Sequence, residues 1–215
     1  MTGAAERRGT ITVMVTIHLV RHGQVENPKG VIYGRLPGYS LSERGQRQAK
    51  AAAEHLREAD LGVVWASPLE RAQETAQFIA EPHGLEITTD ERLTESGTTL
   101  EGVSHNVALL FRNPKRWWSF RNPMKPSWGE SFTEIRARML SAIDDAIVKA
   151  DGRELAVVSH QTPVLVARLA LARQRVPPWL GRLPCHTGSV TTLVLDGDRV
   201  VTASYFKPPD DGSST

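Results

Sequence analysis

The sequence predicts an α/β fold with three layers: a mostly parallel central sheet, helices on both faces, and a lid insertion at about residues 100–128. Three observations predict it. Short, β-branched, nearly continuous apolar runs alternate with stretches of helical period, the pattern of strands covered on both faces by crossover helices. The chain has 215 residues, 40% of them apolar, which is enough for one sizeable core and suits one domain with elaborations better than two. The alternation breaks once, over residues 100–128, where Pro114, Pro123 and Pro126 forbid one continuous helix.

Residues 12–20 are β-branched and apolar at almost every position, which marks a central strand. Ser42 can cap a helix running to Ala59, whose inner stripe is Ala49, Ala53 and Leu56. A second buried strand follows at 63–66. Residues 69–83 repeat the helical period through Ala72, Ala76 and Ile79, and Gly84 ends that helix. After the lid, Ser131 and Glu134 have capping-box spacing, so a helix is expected over 132–150 with Ile135, Met139, Ile143 and Ile147 inward. Residues 155–159 form another short strand, and Pro163 sits in the first turn of a helix reaching Ala172. The runs 190–195 and 199–205, joined at Asp196-Gly197-Asp198, make a closing hairpin.

The charge is nearly balanced, 26 basic against 24 acidic residues, so it gives no general case for nucleic acid or a membrane surface as partner. A single cysteine, Cys185, cannot form an internal disulfide and fits a reducing compartment. The apolar run 11–20 imitates a signal peptide, but it carries His18, lacks a small-residue cleavage site and leads directly into Arg21-His22-Gly23. The expectation is a cytoplasmic protein with one domain over residues 10–207, a loose tail at 1–9 and another at 208–215. The oligomeric state is open, a homodimer included.

Ligands of open α/β sheets bind beyond the carboxyl ends of the strands. There the first strand ends at Arg21-His22-Gly23, the second leads into Ser67-Pro68-Leu69-Glu70-Arg71, and the third ends at Ser159-His160. Two arginines and two histidines thus meet at one edge. Guanidinium forks match phosphate oxygens and neutralise a dianion, so the cluster predicts a phosphate site. Gly23 lets the backbone come close to a ligand.

In order, the chain carries Leu19-Val20-Arg21-His22-Gly23, Leu41-Ser42-Glu43-Arg44-Gly45 with Gln48-Ala49, and Ser67-Pro68-Leu69-Glu70-Arg71-Ala72 with Glu74-Thr75-Ala76. Leu93-Thr94-Glu95, Gly129-Glu130-Ser131 and Val158-Ser159-His160 follow. This ordered set, spanning about residues 16–195, resembles the histidine phosphatase superfamily, also called phosphoglycerate mutase-like. The resemblance implies that His22 attacks phosphorus to form a phosphohistidine. It makes Glu95 the group that protonates the departing oxygen and then activates water. It assigns Arg21, Arg71 and His160 to the phosphoryl oxygens, and it requires neither a metal nor a cofactor.

The stretch Ser96-Gly97-Thr98-Thr99-Leu100-Glu101-Gly102 departs from the family pattern, which leaves Glu91 and Glu101 as rivals for the acid. Asn27 stands one residue away from a family asparagine that contacts phosphate and is a candidate for substrate binding. Ser131 explains itself as a helix cap. His18 reads as a packed strand histidine, because the spacing His18 to His22 lacks the helix and glutamate of a zinc motif. In the lid, Arg112, Lys115, Arg116, Arg121 and Lys125 interleave with Trp117, Trp118, Phe120 and Trp128. Either the tryptophans pack the lid while the charges stay solvated, or Arg112, Arg116 and Trp117 recognise a second anionic group or a flat ring of the substrate.

The expected activity is hydrolysis of a small phosphomonoester, since the length of 215 residues, the offset around Asn27 and the loop after Glu95 fit the phosphatase branch better than a cofactor-dependent phosphoglycerate mutase. A non-catalytic phospho-ligand binder is the reading from a different class.

Overall fold

The computed structural model describes residues 14–98, 101–102 and 129–209. Most of the expected lid, with Arg112, Arg116 and Trp117, lies outside the described residues. Among the described residues six strands form one sheet in the order β3-β2-β4-β1-β5-β6. They are β1 (Met14–Arg21), β2 (Leu61–Ala66), β3 (Ile87–Thr89), β4 (Glu154–Ser159), β5 (Val190–Asp196) and β6 (Arg199–Phe206). Strands β3, β2, β4 and β1 run parallel to one another, β5 pairs antiparallel with β1, and β6 pairs antiparallel with β5. The sheet is therefore mixed, with its parallel part holding the site.

Helices α1 (Glu43–His55), α2 (Glu70–Ala80), α3 (Phe132–Ala150) and α4 (Gln161–Leu171) cover the two faces. Period-two alternation sorts the strand residues between them. Ile17 and Leu19 of β1 join Ile135, Met139, Ile143 and Val164 in one core. Val20 joins Val158, Ala52, Ala72 and Ile79 in the other. No helix of the described residues is long and apolar enough to cross a membrane.

Boundaries differ from expectation where one residue decides them. Helix α1 stops at His55, not Ala59: Leu56 caps it at φ −96° and ψ 3°, and the N–H groups of Arg57 and Ala59 bond to carbonyls three residues back, not four. Helix α2 stops at Ala80, where Pro82 supplies no N–H to continue the ladder. A 3-10 turn over Glu81–His83 follows, and Gly84 ends it at φ +62°. Strand β3, three residues long and half exposed, carries too little pattern to announce itself. Helix α4 begins at Gln161, with Pro163 at its third position, where a backbone N–H has no helical partner to lose. Ser131 caps α3 through both halves of a capping box with Glu134.

Candidate active site

The carboxyl ends of β1 and β4 are neighbours, Arg21 lying opposite Ser159. Each strand delivers a histidine just past its end, His22 and His160, with ring centroids 5.0 Å apart. Arg71 comes from the first turn of α2, the helix that follows β2. Glu95 follows the 3-10 turn Glu91–Leu93, which is tied to β4 by the Ser159 hydroxyl donating to the Leu93 carbonyl oxygen at 2.6 Å. His22 is 1% exposed, and Arg71 and His160 are 0% exposed. Burying this much cation is costly unless an anion or fixed acceptors compensate.

The acceptors are few. Arg21 Nη1 donates to the Cys185 carbonyl oxygen at 2.6 Å, and Arg71 Nη2 to that of Gly34 at 2.6 Å. The Arg71 guanidinium carbon also sits 4.8 Å from the Tyr33 ring centroid. Six buried side-chain nitrogens among the described residues meet no hydrogen-bond partner, and four of them belong to this cluster: Arg21 Nε, Arg71 Nε, Arg71 Nη1 and His160 Nδ1. Buried donors in native proteins are nearly always paired. Four orphans on three cationic or imidazole side chains are what a tetrahedral oxyanion would satisfy.

His22 Nδ1 lies 2.7 Å from the Gly23 carbonyl oxygen, so Nδ1 carries the proton and Nε2 keeps its lone pair. His160 Nε2 lies 2.8 Å from the Ser67 hydroxyl, and Nδ1 is the ring nitrogen left buried without a partner. Burial, then the charges of Arg71 and Arg21, hold the His22 pKa well below the usual histidine value. Burial, then His22 and the charges of Arg71 and Arg21, do so for His160. That depression favours the neutral form of the His22 ring at neutral pH. Glu95 shifts the other way: burial raises its carboxyl, against the Ser96 N–H and the charges of Arg21 and Arg71. Its Oε1 accepts from the Ser96 N–H at 2.8 Å. A neutral base and a raised acid beside paired guanidiniums form the acid–base arrangement expected of phosphoryl transfer.

Five sequence-designated residues, Arg21, His22, Arg71, Glu95 and His160, are brought together. Glu91 is exposed, its backbone and carboxylate engaged by the Thr94 hydroxyl. Glu101 accepts from the Arg35 N–H at 2.8 Å. The Asn27 side chain closes its own loop, donating to the Val31 carbonyl and accepting from the Val31 N–H. His18 packs in β1 against Thr192 and Glu154. Cys185 is buried, which pushes its thiol up to about 11. A cavity of about 470 Å³ borders Arg21 and is lined also by Arg44, Gln161, Arg182, His186 and Lys207, while His22, Arg71 and His160 lie outside its wall.

Residues matched only as motif members acquire physical tasks. Thr75 accepts from the Gly23 N–H, Gln48 from the Gln24 N–H, and Glu70 and Glu74 from the backbone of residues 38–41. These bonds hold the segment after His22. Arg35 gave no signal of its own in the sequence, yet its side chain reaches Glu95 and Glu130.

A family model, Histidine phosphatase superfamily (branch 1), matches residues 17–207. The chain belongs to the histidine phosphatase superfamily. Within it, the chain is 47% identical over 193 residues to the Mycobacterium tuberculosis "Uncharacterized protein Rv0525", covering 89% of this chain and 96% of that protein. It is 34% identical over 165 residues to phosphoserine phosphatase 1 of Hydrogenobacter thermophilus, covering 74% and 76% of the two chains. Among solved structures, native mycobacterial glucosyl-3-phosphoglycerate phosphatase superposes with a TM-score of 0.72 at 25% identity, over 89% of this chain and 97% of the other. The chain thus has relatives described as phosphatases in both sequence and structure.

Proposed function

We propose that the protein is a phosphomonoesterase that hydrolyses a small phosphorylated metabolite through a phosphohistidine on His22. The observation that carries the reading is the set of four unpartnered buried nitrogens on Arg21, Arg71 and His160 around an imidazole whose Nδ1 is already engaged. In the first step the Nε2 lone pair of His22 attacks phosphorus. The bond from phosphorus to the ester oxygen breaks, and that oxygen leaves with the proton of Glu95. In the second step Glu95 takes a proton from water, whose oxygen attacks the phosphoryl group. The phosphorus–nitrogen bond breaks, its electron pair returns to His22, and phosphate departs. Two displacements replace one difficult one, and the fixed cations stabilise charge on the transferring group. The scheme draws on side chains alone.

The phosphatases named among the relatives act on small phosphorylated compounds by their names, which supports a substrate of that size. Incubation with p-nitrophenyl phosphate tests the reading: turnover is expected in the wild type and absent in His22→Ala. Equal rates would remove His22 from the mechanism, and an inert wild type that still binds phosphate would favour the non-catalytic binder. Following 3-phosphoglycerate with its bisphosphate separates the acceptors. Isomerisation without net phosphate release would make the protein a mutase.

A further inference from the structure

We propose that Arg35 and Glu130 are positioning residues that hold Glu95 in place as the proton donor. The inference rests on the catalytic reading above and extends it to side chains beyond the five residues of that reading. Arg35 Nε donates to the Glu95 carbonyl oxygen at 2.7 Å. The same guanidinium pairs through Nη2 with Glu130 Oε2 at 3.0 Å. Glu130 is in turn gripped by Arg138, whose Nε and Nη2 reach Oε1 at 2.7 Å and Oε2 at 2.9 Å. Arg138 Nη1 closes the chain on the Arg92 carbonyl oxygen at 2.5 Å, in the turn that precedes Glu95.

The acid segment is thus held twice by one relay of side chains. The geometry suits the task. A planar fork can donate in two directions at once, and a carboxylate with both oxygens occupied by a second arginine is fixed in orientation. The Glu130–Arg138 pair is well shielded, with side chains 17% and 15% exposed, so solvent screens it little. Backbone contacts seat the relay: Glu130 N–H donates to the Gly97 carbonyl at 3.2 Å, and a side chain on Gly97 would touch the Arg35 guanidinium at 3.5 Å. Residue 34 adds a link to the other half of the site, since its carbonyl accepts from Arg71. Neighbouring residues 34 and 35 therefore brace the phosphate arm and the acid from one loop.

None of these side chains needs to touch substrate, so the test must separate positioning from general stability. An acid matters in proportion to how poorly the departing oxygen carries charge. The measured quantity is kcat/KM for p-nitrophenyl phosphate divided by that for glycerol 1-phosphate, since kcat/KM reports the step that expels the alcohol. Glu95→Gln sets the ceiling, raising the ratio by roughly 10²–10⁴-fold if Glu95 is the acid. Arg35→Gln and Glu130→Gln are expected to raise it by about ten-fold or more, approaching that ceiling. Arg35→Lys, which can keep only one of the two bonds, is expected to fall between. Arg57→Gln, in a surface pair with Glu54, leaves the ratio at the wild-type value.

If Glu95→Gln changes the ratio while Arg35→Gln and Glu130→Gln lower both substrates equally, the positioning role is wrong and the relay is only scaffold. If Glu95→Gln leaves the ratio unchanged, the acid assignment itself fails. Arg35 is half-exposed and its replacement should fold, which keeps the test open if Glu130→Gln proves unstable.

Discussion

His22 Nδ1 stands 2.7 Å from the carbonyl oxygen of Gly23, the next residue in the chain. His22 therefore takes its tautomer from its own backbone, and whatever fixes Gly23 also fixes the position of the imidazole. The Gly23 N–H donates to Thr75 Oγ1 at 3.1 Å. A Cβ on Gly23 would fall 2.4 Å from the Gly45 carbonyl oxygen, a contact with backbone that cannot be relieved by a rotamer change.

Gly23→Ala is accordingly expected to push the segment away from α1 and carry the imidazole with it. A displacement near 1 Å at a reacting atom costs on the order of 10²-fold in rate, and overpacking costs roughly 1–3 kcal/mol of stability. Kinetics on p-nitrophenyl phosphate together with a thermal melt read both. A variant with wild-type kcat/KM would show that the Gly23 carbonyl does not set the position of His22.

The pH profile of kcat/KM should be bell-shaped. On its acid side activity is lost as His22 gains a proton, at a pH below the ordinary histidine value because burial, Arg71 and Arg21 depress it. On its alkaline side activity is lost as Glu95 gives up its proton, above the ordinary carboxyl value because burial raises it. Removing the Arg71 charge relieves the depression on His22 and also removes a charge that lowers Glu95. Arg71→Gln should therefore move both limbs to higher pH, besides lowering kcat. An acid limb that stays in place would mean that His22 is not the group titrating there.

The fold was legible wherever a segment had to be buried on a fixed period. Helix α3 and its cap can be read to the residue, because Ser131, Glu134 and the stripe from Ile135 to Ile143 all specify the same start and face. The convergence of Arg21, His22, Arg71 and His160 was legible for a topological reason: the chain leaves each parallel strand at the same edge. Arg35 was not, since a lone arginine in a loop carries no period, and its partners Glu95 and Glu130 are 60 and 95 residues away. Strand β3 and the exact end of α1 depend on tertiary contacts that no local pattern encodes.

Replacing Ser131 by alanine separates its structural role from the site beside it. The Ser131 hydroxyl accepts from the Glu134 N–H and donates to Glu134 Oε2, while the same carboxylate accepts from the Ser131 N–H at 2.8 Å. Loss of such a cap costs about 0.5–2 kcal/mol. Ser131→Ala should lower the denaturation midpoint with little change in the denaturant slope, because the same surface is exposed on unfolding. A rise in KM larger than the change in stability would instead give Ser131 a place at the substrate.

Acid should destabilise the fold through its buried histidines. His18, His22 and His160 all have pKa values depressed first by burial; for His18 the Glu154 carboxylate offsets part of that depression. In the unfolded chain each returns to about 6.5. Between the folded and unfolded values the unfolded state therefore binds more protons, and stability falls as pH drops below about 6.5. Glu95 acts in the opposite sense, because its raised pKa stabilises the fold at low pH and that contribution is lost as pH rises through its folded value. His55 is lowered as well, by burial, and the Asp90 carboxyl is lowered by its bond with Arg92, so four depressed histidines and a depressed carboxyl against one raised carboxyl leave a net loss on acidification. Chemical denaturation at pH 7.5 and pH 5.5 measures it, and His18→Gln, which removes one titrating ring outside the site, should shrink the difference between the two. A stability that is flat across this range, or that rises toward pH 5.5, would mean that these imidazoles are not buried in neutral form.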